Sequence, residues 1–133
     1  PYYNKVMIYS LDRLLHLEVL ADEQFKMPDS FNPTDFFNEY YGIIIDSDFD
    51  VEKVKLKVSA SQANYLRSLP LHHSQQEIQA TDEYSIFELR IRPTFDFYQE
   101  ILHNGEDMEV LEPLWLRKEI ARKIEKMWDK YKS

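Results

Sequence analysis

The order of strand and helix patterns after residue 50 is the feature that most constrains the fold of this chain. Apolar side chains alternate with lysines in VEKVKLKV, residues 51–58, which predicts a half-buried strand. The pattern next predicts a helix that Ser59 caps and Pro70 stops, followed by strands at 77–81 and 84–92. After these it predicts a helix between Thr94 and Gly105, a strand at 108–112 and a last helix at about 114–131. The β-α-β-β-α-β order is that of the ferredoxin-like α+β fold, so we expect an antiparallel four-stranded sheet with helices on one face.

Local signals at the helices support this order. Ser59 and Gln62 have the S-x-x-Q spacing of a capping box, and Thr94 stands at the cap position of the next helix. The last helix carries the apolar stripe typical of an amphipathic helix: Leu116, Ile120, Ile124, Met127, Trp128 and Tyr131.

The segment VMIYSLDRLLHLEVL, residues 6–20, is largely apolar but has Asp12 and Arg13 in its middle. A single helix here would be apolar on every side and would suit only a deeply buried position. Alternation on either side of the charged pair fits two strands better, joined by a tight corner at Leu11–Leu14. This arrangement places Arg13 at the bend, where its guanidinium can point off the sheet.

A short helix is predicted at residues 33–41. Asn32 can cap it, Pro33 suits its first position and Gly42 ends it. Its buried side chains are expected to be aromatic: Phe36, Phe37, Tyr40 and Tyr41.

Charge and composition exclude several classes of function. The net charge of −8 disfavours a general grip on the nucleic acid backbone. Residues 113–133 have a local balance of +4, which we interpret as a solvated helix face with i,i+4 ion pairs. The lack of cysteine removes disulfides, thiolate zinc sites and cysteine nucleophiles. No apolar run reaches the about 18 residues of a membrane span, and no secretory signal is visible. The first residue is Pro1, which suggests an excised fragment of a longer protein.

Two parts of the chain resemble the domains of one regulator family. YSLDRLLHLEVLADEQFKMPDSFNPTDFFNEYYGI resembles the end of the WYL domain of bacterial transcriptional regulators. VKLKVSASQANYLRSLPLHHSQ, FELRI, ILHNGEDMEVLEP and LRKEIARKIEKMWDKY resemble landmarks of the WYL C-terminal extension, or WCX domain. The resemblance implies an SH3-like β-barrel fragment at residues 1–43, an acidic linker at 44–50 and a WCX-like, ferredoxin-like domain with a long C-terminal helix at 51–133. The Trp-Tyr-Leu signature and the winged helix-turn-helix of that family are absent from this sequence.

The resemblance implies the effector-sensing and dimerisation region of a bacterial, cytoplasmic helix-turn-helix regulator. Its effector would be a nucleotide or a single-stranded nucleic acid, and it would reach duplex DNA only through a DNA-binding domain that this chain lacks. We expect a homodimer to which residues 1–20 contribute, and no membrane partner. Two alternatives stay open: a pure dimerisation module without a ligand, and a small enzyme on a ferredoxin-like sheet.

Arg13 is the first candidate ligand-binding residue. In the family, the arginine of the LDR turn belongs to a basic surface that faces the ligand, and the resemblance carries that role to Arg13. A guanidinium suits a phosphate because its fork of donors matches the phosphate oxygens. The alternative is that Arg13 pairs with Asp12 or another nearby carboxylate and closes the bend.

The segment LPLHHSQQ supplies three more candidates. His73, Ser74 and Gln75 match a short motif that recurs in the resembling domain. They would fix this loop or touch an effector.

The segment ELRIR supplies the last two candidates, Arg90 and Arg92. The two lie two residues apart and therefore on the same side of the third strand. Another strand adds three cations that would extend an anion-binding surface: Lys53, Lys55 and Lys57. The alternative is a solvated sheet face neutralised by acids such as Glu77 and Glu88.

No catalytic, metal or cofactor site is predicted. His72 and His73 are adjacent, and two ligands make a poor metal site. The aspartates of DSDFDVE, residues 46–52, imitate the start of a calcium loop, but Val51 and Lys57 stand where the loop needs glycine and glutamate. Because the sequence also lacks a nucleophile elbow and a glycine-rich phosphate loop, we expect a protein that is not an enzyme.

Overall fold

The computed structural model describes residues 6–42 and 48–133. The chain divides into two compact units, Pro1–Asn32 and Pro33–Ser133. The larger unit contains these elements in chain order: α1 (Pro33–Asn38), β1 (Glu52–Ser59), α2 (Ala60–Ser68), β2 (Gln76–Ala80), β3 (Tyr84–Ile91), α3 (Phe95–His103), β4 (Met108–Glu112) and α4 (Leu114–Tyr131). No helix in the described part of the chain is both long and apolar enough to cross a membrane.

The four strands form one antiparallel sheet in the order β2-β3-β1-β4. Because side chains alternate along a strand, Val54, Leu56 and Val58 of β1 all point to one face, where they are fully buried. They pack with inward side chains of β3 and β4 and with residues of α2, α3 and α4 in a single core. The mixed α and β composition and the antiparallel four-stranded sheet are as predicted.

Helices α2 and α3 start at the predicted residues, but not every predicted capping hydrogen bond forms. Ser59 Oγ accepts a hydrogen bond from the Gln62 N–H at 3.3 Å and caps α2. The Gln62 side chain donates to Asn104 Oδ1 at 2.6 Å instead of returning to Ser59, so half of the capping box forms. Thr94 is the N-cap residue of α3, but its hydroxyl makes no capping bond and is buried without a partner in the described part of the chain.

The core uses only the first half of the apolar stripe on α4. Leu116 and Ile120 are buried, and the other members of the stripe are exposed by 47 to 79%. The C-terminal half of this helix therefore presents apolar side chains to solvent.

The two strands predicted on either side of Asp12 are not formed in the described residues 6–32. A 3-10 turn at Leu11–Arg13 occupies the predicted corner, where the Arg13 N–H donates to Ser10 O at 3.1 Å. A strand needs neighbours for its backbone bonds, and a two-stranded hairpin alone is marginal. The apolar side chains of this segment stay exposed, with Leu15 and Leu17 both at 83%.

The predicted helix at 33–41 is shorter than expected, since α1 ends at Asn38. Tyr40 is buried but lies beyond the helix, in a bridge with Arg92, whose N–H donates to Glu39 O at 2.7 Å. Residues paired in this way cannot continue the helix. Phe37, which was expected to be buried, is 53% exposed. Residues 44–47 of the predicted acidic linker lie outside the described residues.

Candidate functional site

The loop between α2 and β2 is fixed by the side chain of His72. Its Nε2 lies 2.5 Å from the carbonyl oxygen of Asn38, which can only accept, so Nε2 carries the proton. The Nδ1 atom then accepts from the Ser74 N–H at 3.2 Å and lies 2.7 Å from Ser74 Oγ. Burial lowers the pKa of the His72 imidazole below its ordinary value; the bond to Asn38 opposes this shift, and nearby His73 adds to it.

Ser74 takes the place that a neighbouring strand would have beside the end of β3. Its hydroxyl oxygen accepts from the Arg90 N–H at 2.9 Å and lies 3.2 Å from the Arg90 carbonyl oxygen, while its one proton is directed at the closer His72 Nδ1. Both backbone groups of Arg90 thus point away from β1. The Arg90–Lys53 pair across β1 and β3 is therefore a non-hydrogen-bonded pair, the kind in which side chains approach most closely.

Gln75 fixes the same loop from within. Its side-chain oxygen accepts from the Leu71 N–H at 3.0 Å, and its amide nitrogen donates to the carbonyl of Leu66 at 2.8 Å. Both ends of the amide are thus used to hold the loop against the end of α2. His73 differs, because it is exposed and its ring contacts that of His72, with centroids 4.0 Å apart and planes tilted by 40°.

The two arginines predicted as a pair have different environments. Arg92 donates from Nε to Glu39 at 2.9 Å, donates from Nη1 to the carbonyl of Phe49 and lies 5.6 Å from the ring centroid of Tyr40. Its guanidinium holds the segment after α1 to the end of β3. Arg90 is exposed, and its guanidinium makes no ion pair or hydrogen bond with any described residue.

The lysine row beside the arginines is largely neutralised. Lys53 pairs with Glu88 at 3.5 Å, and Lys55 pairs with Glu112 at 3.2 Å. The Lys57 ammonium lies 4.5 Å from the centroid of the Tyr84 ring. Carboxylates thus interrupt the broad anion-binding surface, and Arg90, whose cross-strand neighbour is Lys53, keeps a guanidinium without an ion pair among the described residues.

Arg13 belongs to the unit Pro1–Asn32, in the exposed 3-10 turn. It forms no ion pair with Asp12 or with any other residue that the structure describes. In that part of the chain its guanidinium is open to solvent.

Sequence reasoning missed His72, which holds more of this loop together than its neighbour His73. The signal was present in HHSQ, but its partner Asn38 is 34 residues away and only the fold brings them together. The described residues contain no group of three or more His, Cys, Asp or Glu side chains that could hold a metal ion.

Comparison with known families gives one match. The family model described as the WCX domain matches residues 50–128, which is more than half of the 133 residues. The match includes the loop at 71–75, Arg90 and most of α4. No curated protein matches the chain.

Proposed function

The chain belongs to the WCX domain family, and from that premise we propose that it is the effector-sensing and dimerisation region of a bacterial, cytoplasmic transcription regulator. WCX domains are associated with WYL-domain transcriptional regulators, which supports a regulatory role. The sheet order β2-β3-β1-β4 supports a ferredoxin-like assignment for residues 51–133. We assign residues 1–43 to the end of a WYL domain, a fragment of an SH3-like barrel, on the resemblance around the LDR turn.

The observation that supports effector sensing is the guanidinium of Arg90, which has no ion-pair partner among residues 6–42 and 48–133. It stands beside Lys53 at a strand position whose N–H is bonded by the Ser74 hydroxyl oxygen. An arginine aimed by a rigid strand is suited to bind a phosphate through charge-assisted hydrogen bonds. We therefore propose a phosphate-bearing effector, either a nucleotide or a short single-stranded nucleic acid.

The remaining candidate residues take separate roles in this proposal. His73 is exposed in the same loop and contacts the effector, while Ser74 and Gln75 position the loop. Arg92 positions the end of β3 through Glu39. Arg13 binds the effector through the basic surface that its resemblance to the LDR turn implies.

A thermal-shift screen of the chain against nucleotides and short single-stranded oligonucleotides tests this proposal. A ligand that binds only the folded state raises stability by about 2.7 kcal/mol at 100 times its Kd. We expect at least one phosphate-bearing ligand to raise Tm. If none does at millimolar concentration, effector sensing by this chain is overturned.

We do not expect this chain to bind duplex DNA in a sequence-specific manner. Its net charge is −8, and the lack of the winged helix-turn-helix that the resembling regulators use to read DNA supports this expectation. Electrophoretic mobility shifts with genomic duplex fragments check this expectation. Sub-micromolar, sequence-selective binding would contradict the division of roles.

A pure dimerisation module is the second candidate function. It is favoured by the exposed apolar side chains on the C-terminal half of α4. In that case no ligand would raise Tm, while the chain would still associate. The regulator character of the WCX family supports a non-catalytic role in both cases.

A further inference from the structure

One face of α4 is apolar and unused by the core. Leu114, Ile124, Trp128 and Tyr131 are 61, 52, 61 and 79% exposed. With two further residues they form a strip in which spacings of three and four alternate: Leu114, Arg117, Ala121, Ile124, Trp128 and Tyr131. Such a repeat is typical of a helix that packs along its length against another helix.

The surface on both sides of this strip is concave. A depression of about 280 Å³ lies between α4 and β4, lined by side chains that include Val110, Ile120 and Ala121. A shallower one of about 690 Å³ follows the other side, along Lys118, Ala121 and Trp128. Side chains of a second helix would therefore find depressions to enter along the strip between Arg117 and Trp128.

The charges that flank the strip are self-complementary. Lys118 and Glu125 lie on the same side of it, one heptad apart, and neither makes an ion pair in the described part of the chain. Several other charges on the helix already have partners within the chain, such as Arg122 with Glu119 at 2.6 Å. In an antiparallel pair of these helices, Lys118 of one copy would face Glu125 of the other, and a two-fold axis would repeat the contact.

We propose that α4 is the surface through which two copies of this chain associate, with their helices antiparallel and Ala121 of one copy opposite Ile124 of the other. In this register, Trp128 lies opposite Arg117 of the second copy. Arg117 is held by Glu109 and by the carbonyl of Val110, both at 2.6 Å, so the face of its guanidinium is fixed for stacking on an indole. A second copy is the occupant that these charges fit, because an isologous contact requires one surface to complement itself.

The size of this contact sets its expected strength. An 18-residue helix is about 27 Å long and about 10 Å wide. That footprint is roughly a third of the about 800 Å² per partner in a standard interface. We therefore expect a dimer that dissociates in the micromolar range unless residues 1–20 add to the interface.

A charge-reversal set, measured by sedimentation velocity from low to high micromolar concentration, tests the proposal. Lys118→Glu and Glu125→Lys each turn two ion pairs into two repulsions, so each is expected to weaken the dimer by about tenfold, since exposed pairs are individually weak. The double variant restores both pairs and is expected to dimerise like the wild type. Lys126→Glu is the matched control, because this lysine lies on the opposite side of the helix, and it leaves the dimer unchanged.

The proposal rests on the dimerisation part of the proposed function, and the outcomes separate the two. A wild-type chain that stays at 16.1 kDa at high micromolar concentration overturns both. A dimer that is indifferent to Lys118→Glu, Glu125→Lys and Trp128→Ser overturns the α4 surface and leaves dimerisation standing. Loss of the dimer on deletion of residues 1–20, with no effect of the α4 variants, also overturns the α4 surface.

Discussion

The hydroxyl oxygen of Ser74 accepts a hydrogen bond from the Arg90 N–H at 2.9 Å and lies 3.2 Å from the Arg90 carbonyl oxygen. The contact joins the loop after α2 to the end of β3 and completes a sheet edge that β2 does not reach. It also sets the direction of the Arg90 side chain, since the backbone orientation of a strand residue decides to which face its side chain points. The position of the proposed phosphate-binding arginine thus depends on a neutral serine 16 residues away.

Ser74→Ala removes the bond from the Arg90 N–H and the bond between the Ser74 hydroxyl and the His72 ring. Because water can reach the freed groups, we expect a loss of about 0.5–1.5 kcal/mol in the free energy of unfolding, the range of an ordinary hydrogen bond. Urea unfolding measures it. Ser68→Ala is the control, since that hydroxyl bonds only the Asn64 carbonyl of its own helix, and we expect a change within about 0.5 kcal/mol. Equal effects of the two substitutions would show that Ser74 does not support the edge of the sheet.

The stability of the chain is expected to depend on the protonation of His72. Burial lowers its pKa in the folded state, so the unfolded state takes up a proton first as the pH falls. The contribution of neutral His72 is therefore complete above the ordinary histidine pKa of 6.5 and is lost as the pH drops from there toward the folded value. Tm measured across this window is expected to fall in the wild type and in His73→Gln, and to fall less in His72→Gln. If the slope of Tm against pH disappears in His73→Gln instead, the pH dependence comes from His73 and not from His72.

The pair of Arg67 and Glu77 gives a second pH-dependent prediction. Arg67 donates two hydrogen bonds to this carboxylate, at 2.6 and 3.0 Å, and together with the Ser85 hydroxyl it lowers the pKa of Glu77 to about 2. The stabilisation from this pair is present above the ordinary glutamate pKa of 4.5 and is lost as the pH falls toward 2. In Arg67→Met, we expect the Glu77 pKa to rise back toward 4.5. The carboxyl carbon shifts of Glu77 in an NMR titration measure this pKa. The matched variant Arg117→Met leaves it unchanged, and an ordinary pKa in the wild type would refute the pairing.

Arg13 is expected to matter for ligand binding and not for folding. Its side chain is exposed and makes no ion pair with the described residues, so truncation removes no packed contact. With a ligand found in the thermal-shift screen, Arg13→Ala is expected to cost about 1.5–3 kcal/mol of affinity, the range for hydrogen bonds to charged groups. Tm without ligand is expected to stay within error. A marked drop in Tm with intact binding would instead indicate that Arg13 closes the bend.

The central sheet was predictable because its signal is local. Alternation in VEKVKLKV fixes which side chains of β1 face the core, and the observed burial of Val54, Leu56 and Val58 follows from it. The start of α2 was equally local, since Ser59 reaches the N–H of Gln62 only three residues on.

The features that sequence reasoning missed depend on distant partners. Strands at residues 6–20 were expected from their alternation, but alternation does not supply the neighbouring strand that a sheet requires. Arg90 and Arg92 look equivalent in ELRIR, yet Arg92 is bound by Glu39, 53 residues away. The role of His72 likewise depends on Asn38, and no spacing in the sequence indicates that contact.

An NMR titration of the isotopically labelled chain with ATP, and separately with a short oligothymidylate, tests the central claim most directly. We predict saturable amide shifts at Lys53, His73 and Arg90, which are lost in Arg90→Ala and kept in the exposed-arginine control Arg122→Ala. The absence of shifts with both ligands, or shifts confined to residues away from these three, would contradict the claim that this face of the sheet binds a phosphate-bearing effector.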